Sequence, residues 1–402
     1  MPTYLDHAAT TPMHPEVIAA YTAALGLVGN PASIHSQGQS AKRMLEEARE
    51  AVAASVGADS HEVTFTSGGT EAINLAVKGL FWGAGAGAIA SQSRDASPDE
   101  SAIRRLSKRN RILSTRAEHH ATIDALEWLE RHEGAIIEWI PVDAVGRIDL
   151  DALAAALGPD VALVTTLLAN NEVGTVQPVT EIVALAAAHG VPVHCDAVAA
   201  YGLLPIDFAS SGLAALSISA HKIGGPVGIG ALIAARSATL EPLVHGGNQQ
   251  RFRSGTQDAA GAHAFGVAAT LAEASRVARA AQLTALRDYL AAGIHSGISD
   301  AVLRGDPVDR LPGNVHFTFP GCEGDSLLFL LDAAGFSVST GSACQAGVPE
   351  ASHVLLAMGV SEPDARGALR FSLGSSTTTA DLDALLAVLP GVVAQARTAG
   401  LA

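Results

Sequence analysis

Short apolar runs rich in β-branched residues alternate with alanine-rich stretches of helical periodicity along most of the chain. This alternation is typical of βαβ units that build a largely parallel sheet. From 36 to 56 the apolar positions follow helical spacing, and Gly57 supplies a stop signal. Seven apolar runs predict strands, at 62–66, 111–115, 135–140, 161–168, 191–195, 215–219 and 230–234. We therefore predict an α/β fold with a mainly parallel, seven-stranded sheet.

The pattern changes twice, and the changes suggest a domain organisation. Between 84 and 108 it breaks into Gly/Ala, a polar Ser/Asp/Pro stretch and a basic cluster. We interpret this segment as a solvated surface insertion, with a docking patch for an acidic partner as the alternative. Beyond 260, long helices and strands near 315–319 and 337–339 predict a smaller α+β domain. The division is then 1–15 as an N-terminal segment packing with the small domain, 16–260 as the large domain and 261–402 as the small one.

Composition narrows the class of protein. The 402 residues carry 25 Lys+Arg against 40 Asp+Glu, a net charge of −15, which argues against a grip on nucleic acid or an anionic membrane. Hydrophobic residues make up 48% and charged residues 16%, without an apolar run long enough for a membrane span. Cys195, Cys322 and Cys344 are too scattered for a disulfide framework or a zinc site, and no secretory signal is visible. We expect a soluble, cytoplasmic protein that binds no structural metal.

Lysine is rare in this chain, so any lysine-dependent chemistry has only four candidates. Lys42, Lys78 and Lys108 have simple explanations as a helix-face charge, a helix C-terminal charge and a member of the basic cluster. Lys222 instead follows a predicted strand directly, in the turn Ser219-Ala-His-Lys-Ile-Gly-Gly. There it can be desolvated and oriented, as a Schiff-base lysine requires. A purely structural role is the alternative.

Two further clusters lie at the ends of predicted strands. The turn Ser67-Gly-Gly-Thr-Glu71 leads from a strand into a helix, whose free N–H groups could hold a phosphate, although such a turn is often only a tight turn. Asp196 directly follows the apolar run 191–195. It is therefore expected at the sheet edge where open α/β folds bind ligands. A carboxylate there could hold a protonated pyridine nitrogen, or it could cap the next helix.

Taken in order, these motifs resemble the fold-type I pyridoxal-phosphate transferases of the class V aminotransferase group, and within it the cysteine desulfurases of the NifS/IscS type. The resemblance runs nearly end to end. It rests on the segments 4–12, 29–33, 65–71, 118–121, 170–174, 196–198, 219–226, 245–247, 253–256, 341–344 and 370–374.

The resemblance implies a role for each matching residue. Lys222 would carry the cofactor as a Schiff base, Asp196 would pair with the pyridine nitrogen, and His119 would stack on the ring and assist proton transfer. The phosphate would be held by Gly69, Thr70, Ser219 and His221, with Thr256 reaching in from the second subunit of a homodimer. Asn171 and Arg370 would meet the substrate carboxylate, and the planar fork of an arginine suits that task. By itself, Arg370 would be interpreted as half of a surface ion pair.

Cys344 decides which reaction the resemblance implies. It lies among small residues in 339–347, a composition that suits an exposed, attacking thiolate. In isolation it would be an ordinary loop cysteine. Beside a Schiff-base lysine, it implies that Lys222 or His119 removes the Cα proton of L-cysteine and that Cys344 takes the sulfur as a persulfide, leaving L-alanine. The sulfur would then pass to an acceptor protein, for iron–sulfur cluster assembly, tRNA thiolation or another pathway.

The sequence also departs from the family pattern and leaves rivals open. Ala199 stands where the family usually carries a glutamine that donates a hydrogen bond to the 3′-oxygen of the cofactor ring. We hypothesise that this replacement shifts the protonation of the lysine–cofactor linkage, or that another group substitutes. The rival functions are a selenocysteine lyase or transaminase on the same scaffold, and a catalytically silent paralogue that acts as a regulatory subunit.

Overall fold

The structure is a computed structural model that describes residues 2–90, 109–341 and 351–399. Residues 91–108 of the predicted insertion lie outside the described residues, as does Cys344. Residues 84–90, which the sequence pattern assigned to the insertion, instead continue the helix that begins at Gly69. Gly/Ala composition alone therefore did not end this helix.

The strands of the described residues form three sheets. In chain order they are β1 (Thr3–Tyr4), β2 (Val63–Thr66), β3 (Arg111–Thr115), β4 (Ile136–Ile140), β5 (Val161–Leu167), β6 (Val193–Asp196), β7 (Ala215–Ser219), β8 (Gly230–Ala234), β9 (Val302–Leu303), β10 (Asn314–Thr318), β11 (Phe336–Ser337) and β12 (Ala368–Ser372). The large sheet has the order β2-β8-β7-β6-β5-β3-β4; β3 to β7 run parallel, and β8 is antiparallel to both β2 and β7. The predicted α/β fold with a mainly parallel seven-stranded sheet is confirmed.

Helices cover both faces of the large sheet. In the described residues they are α1 (Pro15–Leu25), α2 (Ser36–Ser55), α3 (Gly69–Ala90), α4 (His120–Glu133), α5 (Leu150–Ala156), α6 (Val179–Ala187), α7 (Phe208–Ser211), α8 (Ala259–Gly297), α9 (Gly324–Ala333), α10 (His353–Ala357), α11 (Glu362–Arg366) and α12 (Thr379–Ala399). One apolar cluster packs Leu45 of α2 and Phe265 of α8 onto the sheet, and another packs Leu75 of α3 and Leu126 of α4 onto it. The strands β5, β6 and β7 are buried at every residue, as expected for a sheet covered on both faces.

A second apolar core lies in the C-terminal part of the chain. It surrounds the antiparallel sheet β12-β10-β9 and includes Phe317 and Phe371. The N-terminal Leu5 belongs to this core, and β1 pairs in parallel with β11. We propose the division into domains given above, with its boundary at the start of α8. That helix carries Phe265 into the first core and Leu290 into the second.

Among the described residues, α12 alone is long and apolar enough to cross a membrane by the criteria of length and composition, over Thr379–Thr398. One of its faces packs into the second core through Leu382, Leu385, Leu389 and Val393. This is the packing of a core helix in a globular domain.

Candidate active site

A cavity of about 390 Å³ opens at the carboxyl ends of β5, β6 and β7. Ala8 and Ala9 of the N-terminal segment and Ser339 of the C-terminal core form part of its wall. Nine of the residues singled out in the sequence line it: Gly69, Thr70, His119, Asn171, Asp196, Ala199, His221, Lys222 and Arg370. The general preference of open α/β sheets for ligands at this edge accounts for the position.

Lys222 lies in a single 3₁₀ turn, Ala220–Ile223, directly after β7. Gly224 ends the turn at φ 78°, a left-handed conformation that favours glycine. The Nζ atom donates hydrogen bonds to the carbonyl oxygens of Ala8 at 2.5 Å and Ala9 at 2.9 Å. Burial, followed by the nearby charge of Arg370, lowers the pKa of Lys222 to about 8. A sizeable fraction of the amine is therefore neutral near physiological pH and can act as a nucleophile or a base.

Asp196 is the last residue of β6, and its side chain lies at the inner end of the cavity. Its Oδ1 accepts the backbone N–H of Val198 at 2.9 Å. Burial raises the pKa of Asp196 to about 6, while that hydrogen bond and the charge of Lys222 act in the opposite direction. Burial and the neighbouring Asp196 raise the pKa of Glu118 well above its ordinary value. Of these two acids, Asp196 is therefore the one that carries negative charge at pH 7 and suits a cationic ring nitrogen.

His119 forms the N-cap of α4. Its Nδ1 accepts the backbone N–H of Ala121 at 3.1 Å. Burial, followed by the charge of Lys222, lowers the pKa of His119 to about 4. The imidazole is therefore neutral at pH 7 and, because Nδ1 is an acceptor, carries its proton on Nε2.

The N-terminus of α3 forms another wall of the cavity. A Cβ atom built on Gly69 would lie 2.9 Å from Cγ2 of Val198, so a larger residue there would require a neighbour to shift. Ser219 is not itself a lining residue, but its Cβ lies 3.5 Å from the position of that built Cβ atom. Its hydroxyl is buried and has no hydrogen-bond partner among the described residues. The Nδ1 atom of His221 lies 3.2 Å from Oγ1 of Thr10.

These groups fit pyridoxal phosphate. The free N–H groups that begin a 22-residue helix and an unpartnered buried hydroxyl suit a phosphate. A buried carboxylate suits a protonated ring nitrogen, and an amine with a lowered pKa suits a Schiff base. The backbone N–H groups, hydroxyl, carboxylate and amine that fit the cofactor all belong to this chain.

Arg370 lies in the middle of β12, and its side chain is only 5% exposed. Its Nη1 donates to the backbone carbonyl of Asn171 at 2.9 Å, and its Nη2 donates to Oδ1 of Asp6 at 2.9 Å. Asn171 thus contacts Arg370 through its main chain, while both residues line the cavity. A carboxylate bound here would meet a fixed guanidinium.

One predicted site residue lines a different cavity, and the position of another is not described. Thr256 lines a separate cavity of about 140 Å³, together with Ser67, Arg253 and Gln257. Cys344 lies outside the described residues, so its position relative to Lys222 stays a prediction.

Asp6 and His353 contact the site, although the sequence indicates no role for either. Asp6 lies in the segment 4–12, but nothing in that segment indicates that it pairs with Arg370. His353 donates from Nε2 to the carbonyl of Glu118 at 2.9 Å, and its ring packs against His120 with centroids 4.6 Å apart. No feature of the sequence around His353 distinguishes it.

Comparisons with known proteins agree on one family. The aminotransferase class-V family matches residues 3–97 and 99–385. The IscS-like cysteine desulfurase of Mycobacterium tuberculosis is 51% identical over 99% of this chain and 98% of its own length. The cysteine desulfurase IscS of Dictyoglomus turgidum is 40% identical over 98% and 95%. Among solved structures, a NifS-like protein shares 30% identity with a TM-score of 0.86 over 98% of this chain and all of its own, and DndA from Streptomyces lividans shares 32% with a TM-score of 0.73 over 92% and 99%.

Proposed function

The chain belongs to the class-V aminotransferase family and is a cysteine desulfurase, and on this premise we propose how its residues convert L-cysteine to L-alanine and capture the sulfur. The observation that carries the assignment is one cavity that contains a partly buried amine, a buried carboxylate and a buried guanidinium, those of Lys222, Asp196 and Arg370. These are the groups needed to hold the cofactor and an α-amino acid together.

Pyridoxal phosphate, when bound, supplies an electron sink that stabilises negative charge at the substrate Cα. Asp196 would hold its ring nitrogen and Lys222 its aldehyde carbon, with His119 against the ring. Its phosphate would be held by Gly69, Thr70, Ser219 and His221.

The protonation states divide the proton transfers between Lys222 and His119. The sequence left either residue as the base that removes the Cα proton. Lys222, with its pKa lowered to about 8, has a substantial neutral fraction at physiological pH. His119 keeps its proton on Nε2 because Nδ1 accepts the N–H of Ala121. We therefore assign the base to Lys222 and the donor to His119.

Cys344 is the proposed sulfur acceptor within the chain. Its thiolate attacks the substrate sulfur, the new S–S bond forms as the Cβ–S bond breaks, and the bonding pair stays with the carbon. The proton lost by the Cys344 thiol balances the one taken up at Cβ, the Cα proton is returned, and the proton of the substrate thiol stays with the outer sulfur. L-cysteine and the Cys344 thiol thus become L-alanine and a Cys344 persulfide. No external reductant is required. An acceptor protein, for iron–sulfur cluster assembly or tRNA thiolation, would then take the sulfane sulfur.

We also propose that the enzyme works as a cytoplasmic homodimer. Thr256 does not line the cavity of its own chain, as expected for a residue that serves the second subunit. Five large apolar side chains within a short N-terminal stretch are 49–91% exposed, an area that a second copy would cover: Ile18, Leu25, Leu27, Val28 and Ile34.

The test is the release of sulfide and alanine from L-cysteine by the pyridoxal-phosphate-loaded enzyme in the presence of a reducing thiol. Wild type should form the two products in equal amounts, and Cys344→Ala should lose both while keeping the cofactor absorbance. Cys322→Ala, which changes a buried cysteine away from the cavity, is the matched control and should keep both. L-selenocysteine, added as a competitor, separates the rival lyase. Cleavage of selenocysteine alone, or undiminished release by Cys344→Ala, would overturn the assignment.

A further inference from the structure

The ion pair between Asp6 and Arg370 joins the beginning of the chain to its last strand. Oδ1 of Asp6 lies 2.9 Å from Nη2 of Arg370, and the two side chains are 20% and 5% exposed. Among the described residues, Asp6 is the acidic side chain that pairs with this guanidinium. We propose that Asp6 is a positioning residue that orients Arg370 to bind the substrate carboxylate, an inference that rests on the function proposed above.

The backbone around Asp6 is docked rigidly onto β12. The N–H of Ser372 donates to the carbonyl of Leu5 at 2.7 Å, and the N–H of Ala8 donates to Oγ of Ser372 at 2.8 Å. Ser372 is two residues beyond Arg370, so the segment that carries Asp6 is registered on the same strand as the guanidinium. The carboxylate is therefore held in place for Arg370 rather than meeting it by chance at a mobile surface.

The guanidinium is held at two points, and both leave it able to bind a ligand. Nη2 donates one N–H to Asp6, and Nη1 donates one N–H to the carbonyl of Asn171. Each of these nitrogens has a second N–H, because an arginine carries two on each terminal nitrogen. A bidentate grip on a carboxylate depends on the plane of the fork. Without Asp6, the bond to Asn171 alone would hold that plane.

Asp6 also offsets the positive charge gathered at this wall of the cavity. Arg370 is a buried cation and Lys222 a partly buried one, and the charge of Asp6 acts on Lys222 as well. Ala8 and Ala9, two and three positions beyond Asp6, supply the carbonyl groups that accept from Lys222. One short segment thus serves both cationic side chains.

The test compares two ligands that differ only in the carboxylate, L-alanine and ethylamine. Their dissociation constants are measured on the holoenzyme from the change in cofactor absorbance, with the KM and kcat for L-cysteine beside them. Asp6→Ala should weaken L-alanine about tenfold and raise the KM more than it lowers kcat, because a hydrogen bond between charged groups is lost. Ethylamine binding should not change. Asp6→Asn, which keeps an acceptor oxygen, should fall between wild type and Asp6→Ala.

Three controls keep this result specific. Asp300→Asn removes a comparable ion pair, 2.7 Å from Arg397 and remote from the cavity, and should leave both ligands unchanged. Asp6→Ala combined with Arg370→Ala should bind L-alanine no more weakly than Arg370→Ala alone. Thermal unfolding of every variant reports any loss of the fold, and Asp6→Asn preserves the test if Asp6→Ala does not fold.

Failure of the inference differs from failure of the proposed function. Arg370→Ala should weaken the binding of L-alanine more than that of ethylamine. If it does, but both Asp6 variants bind the two ligands as wild type does or weaken both equally, the positioning role of Asp6 is wrong. The assignment of Arg370 to the substrate carboxylate then stands. If Arg370→Ala itself weakens the two ligands equally, the carboxylate site is wrong and the role of Asp6 falls with it.

Discussion

The imidazole of His119 accepts the backbone N–H of Ala121 through Nδ1 at a distance of 3.1 Å. One ring nitrogen therefore stabilises the first turn of α4, and the other is left with a proton to donate. The two tasks belong to different atoms of one side chain, so substitutions can separate them.

His119→Asn and His119→Gln should have opposite effects on stability and activity. An asparagine can supply an N-cap acceptor, so His119→Asn should unfold close to wild type, whereas His119→Gln should lose about 1 kcal/mol. The longer glutamine amide can place a donor near the position of Nε2, so it should keep more turnover. General acid–base groups contribute about 10²–10⁴-fold, which bounds the loss in His119→Asn. Urea unfolding measures the stability of the two variants, and alanine release measures their turnover. If the same variant ranked higher in both assays, the division of tasks between Nδ1 and Nε2 would be wrong.

Arg370 should control the pH at which Lys222 becomes active. Burial and the charge of Arg370 lower the pKa of Lys222 to about 8, so kcat for L-cysteine should rise with pH and level off above about 8. Arg370→Gln removes a neighbouring cation, raises the pKa of Lys222 and moves the rising limb to higher pH. The measurement is kcat at saturating L-cysteine from pH 6 to about 10.

Arg276→Gln is the matched control for this profile. Arg276 pairs with Glu273 on α8 and does not line the cavity, so its loss should not move the rising limb of the pH profile of kcat. An unmoved limb in Arg370→Gln would mean that Lys222 is not the base, or that Arg370 does not act on it.

Ala199 lines two cavities, and a larger side chain at this position should change the surroundings of the cofactor. Besides the cavity of about 390 Å³, it lines a smaller one of about 110 Å³, and Lys222 also lines both. Ala199→Gln should shift the pH titration of the cofactor absorbance, because a donor to an oxyanion favours the charged form. Ala199→Met fills a similar volume without the amide. Equal shifts in the two variants would show an effect of volume, and no shift in Ala199→Gln would end the hypothesis.

The buried histidine behind the cavity should make the fold sensitive to acid. His194 is fully buried, with Nδ1 2.8 Å from Oγ1 of Thr165 and Nε2 2.9 Å from Oγ of Ser217. Burial lowers its pKa from 6.5 to about 3. As the pH falls below 6.5 the unfolded chain takes up this proton and the native chain does not, so stability declines.

The contribution of His194 can be isolated by difference. Between pH 6 and 4, wild type should lose about 1.4 kcal/mol of unfolding free energy per pH unit more than His194→Gln, because both share every other titrating group. Urea unfolding of the two proteins across this range measures the slopes. Parallel slopes would mean that His194 is protonated in the native state or exposed.

The large sheet was predictable because its central strands are buried on both faces. Their segments are short and rich in apolar and β-branched residues, so seven strands could be placed within a few residues of their observed limits. The largest difference is at β6, which begins at Val193 and ends at Asp196 rather than spanning 191–195. The chain enters it through Pro192, which has no N–H for the ladder, and Asp196 still pairs with Leu167 and Ser217. Asp196 could be assigned to the sheet edge only because its strand could be predicted.

The site was predictable only where it depends on that sheet. Lys222 and Asp196 follow strand ends, and the carboxyl ends of parallel strands meet at one edge. The Asp6–Arg370 pair joins residues 364 positions apart, through packing between the N-terminal segment and the C-terminal core. His353 reaches Glu118 across 235 positions in the same manner. No local periodicity encodes such contacts.

The pairing of β1 with β11 sets the order in which a nascent chain can complete its active site. Thr3 and Tyr4 have no partner until Phe336 and Ser337 have been synthesised, and Asp6 has none until Arg370 follows. The large sheet can fold well before that point, since its last strand ends at Ala234 and domains generally fold as units during synthesis. On the ribosome, the protein therefore passes through a stage with a finished scaffold and an unfinished catalytic cavity. Residues 3–6 emerge before the whole large sheet, yet they are among the last to reach their places.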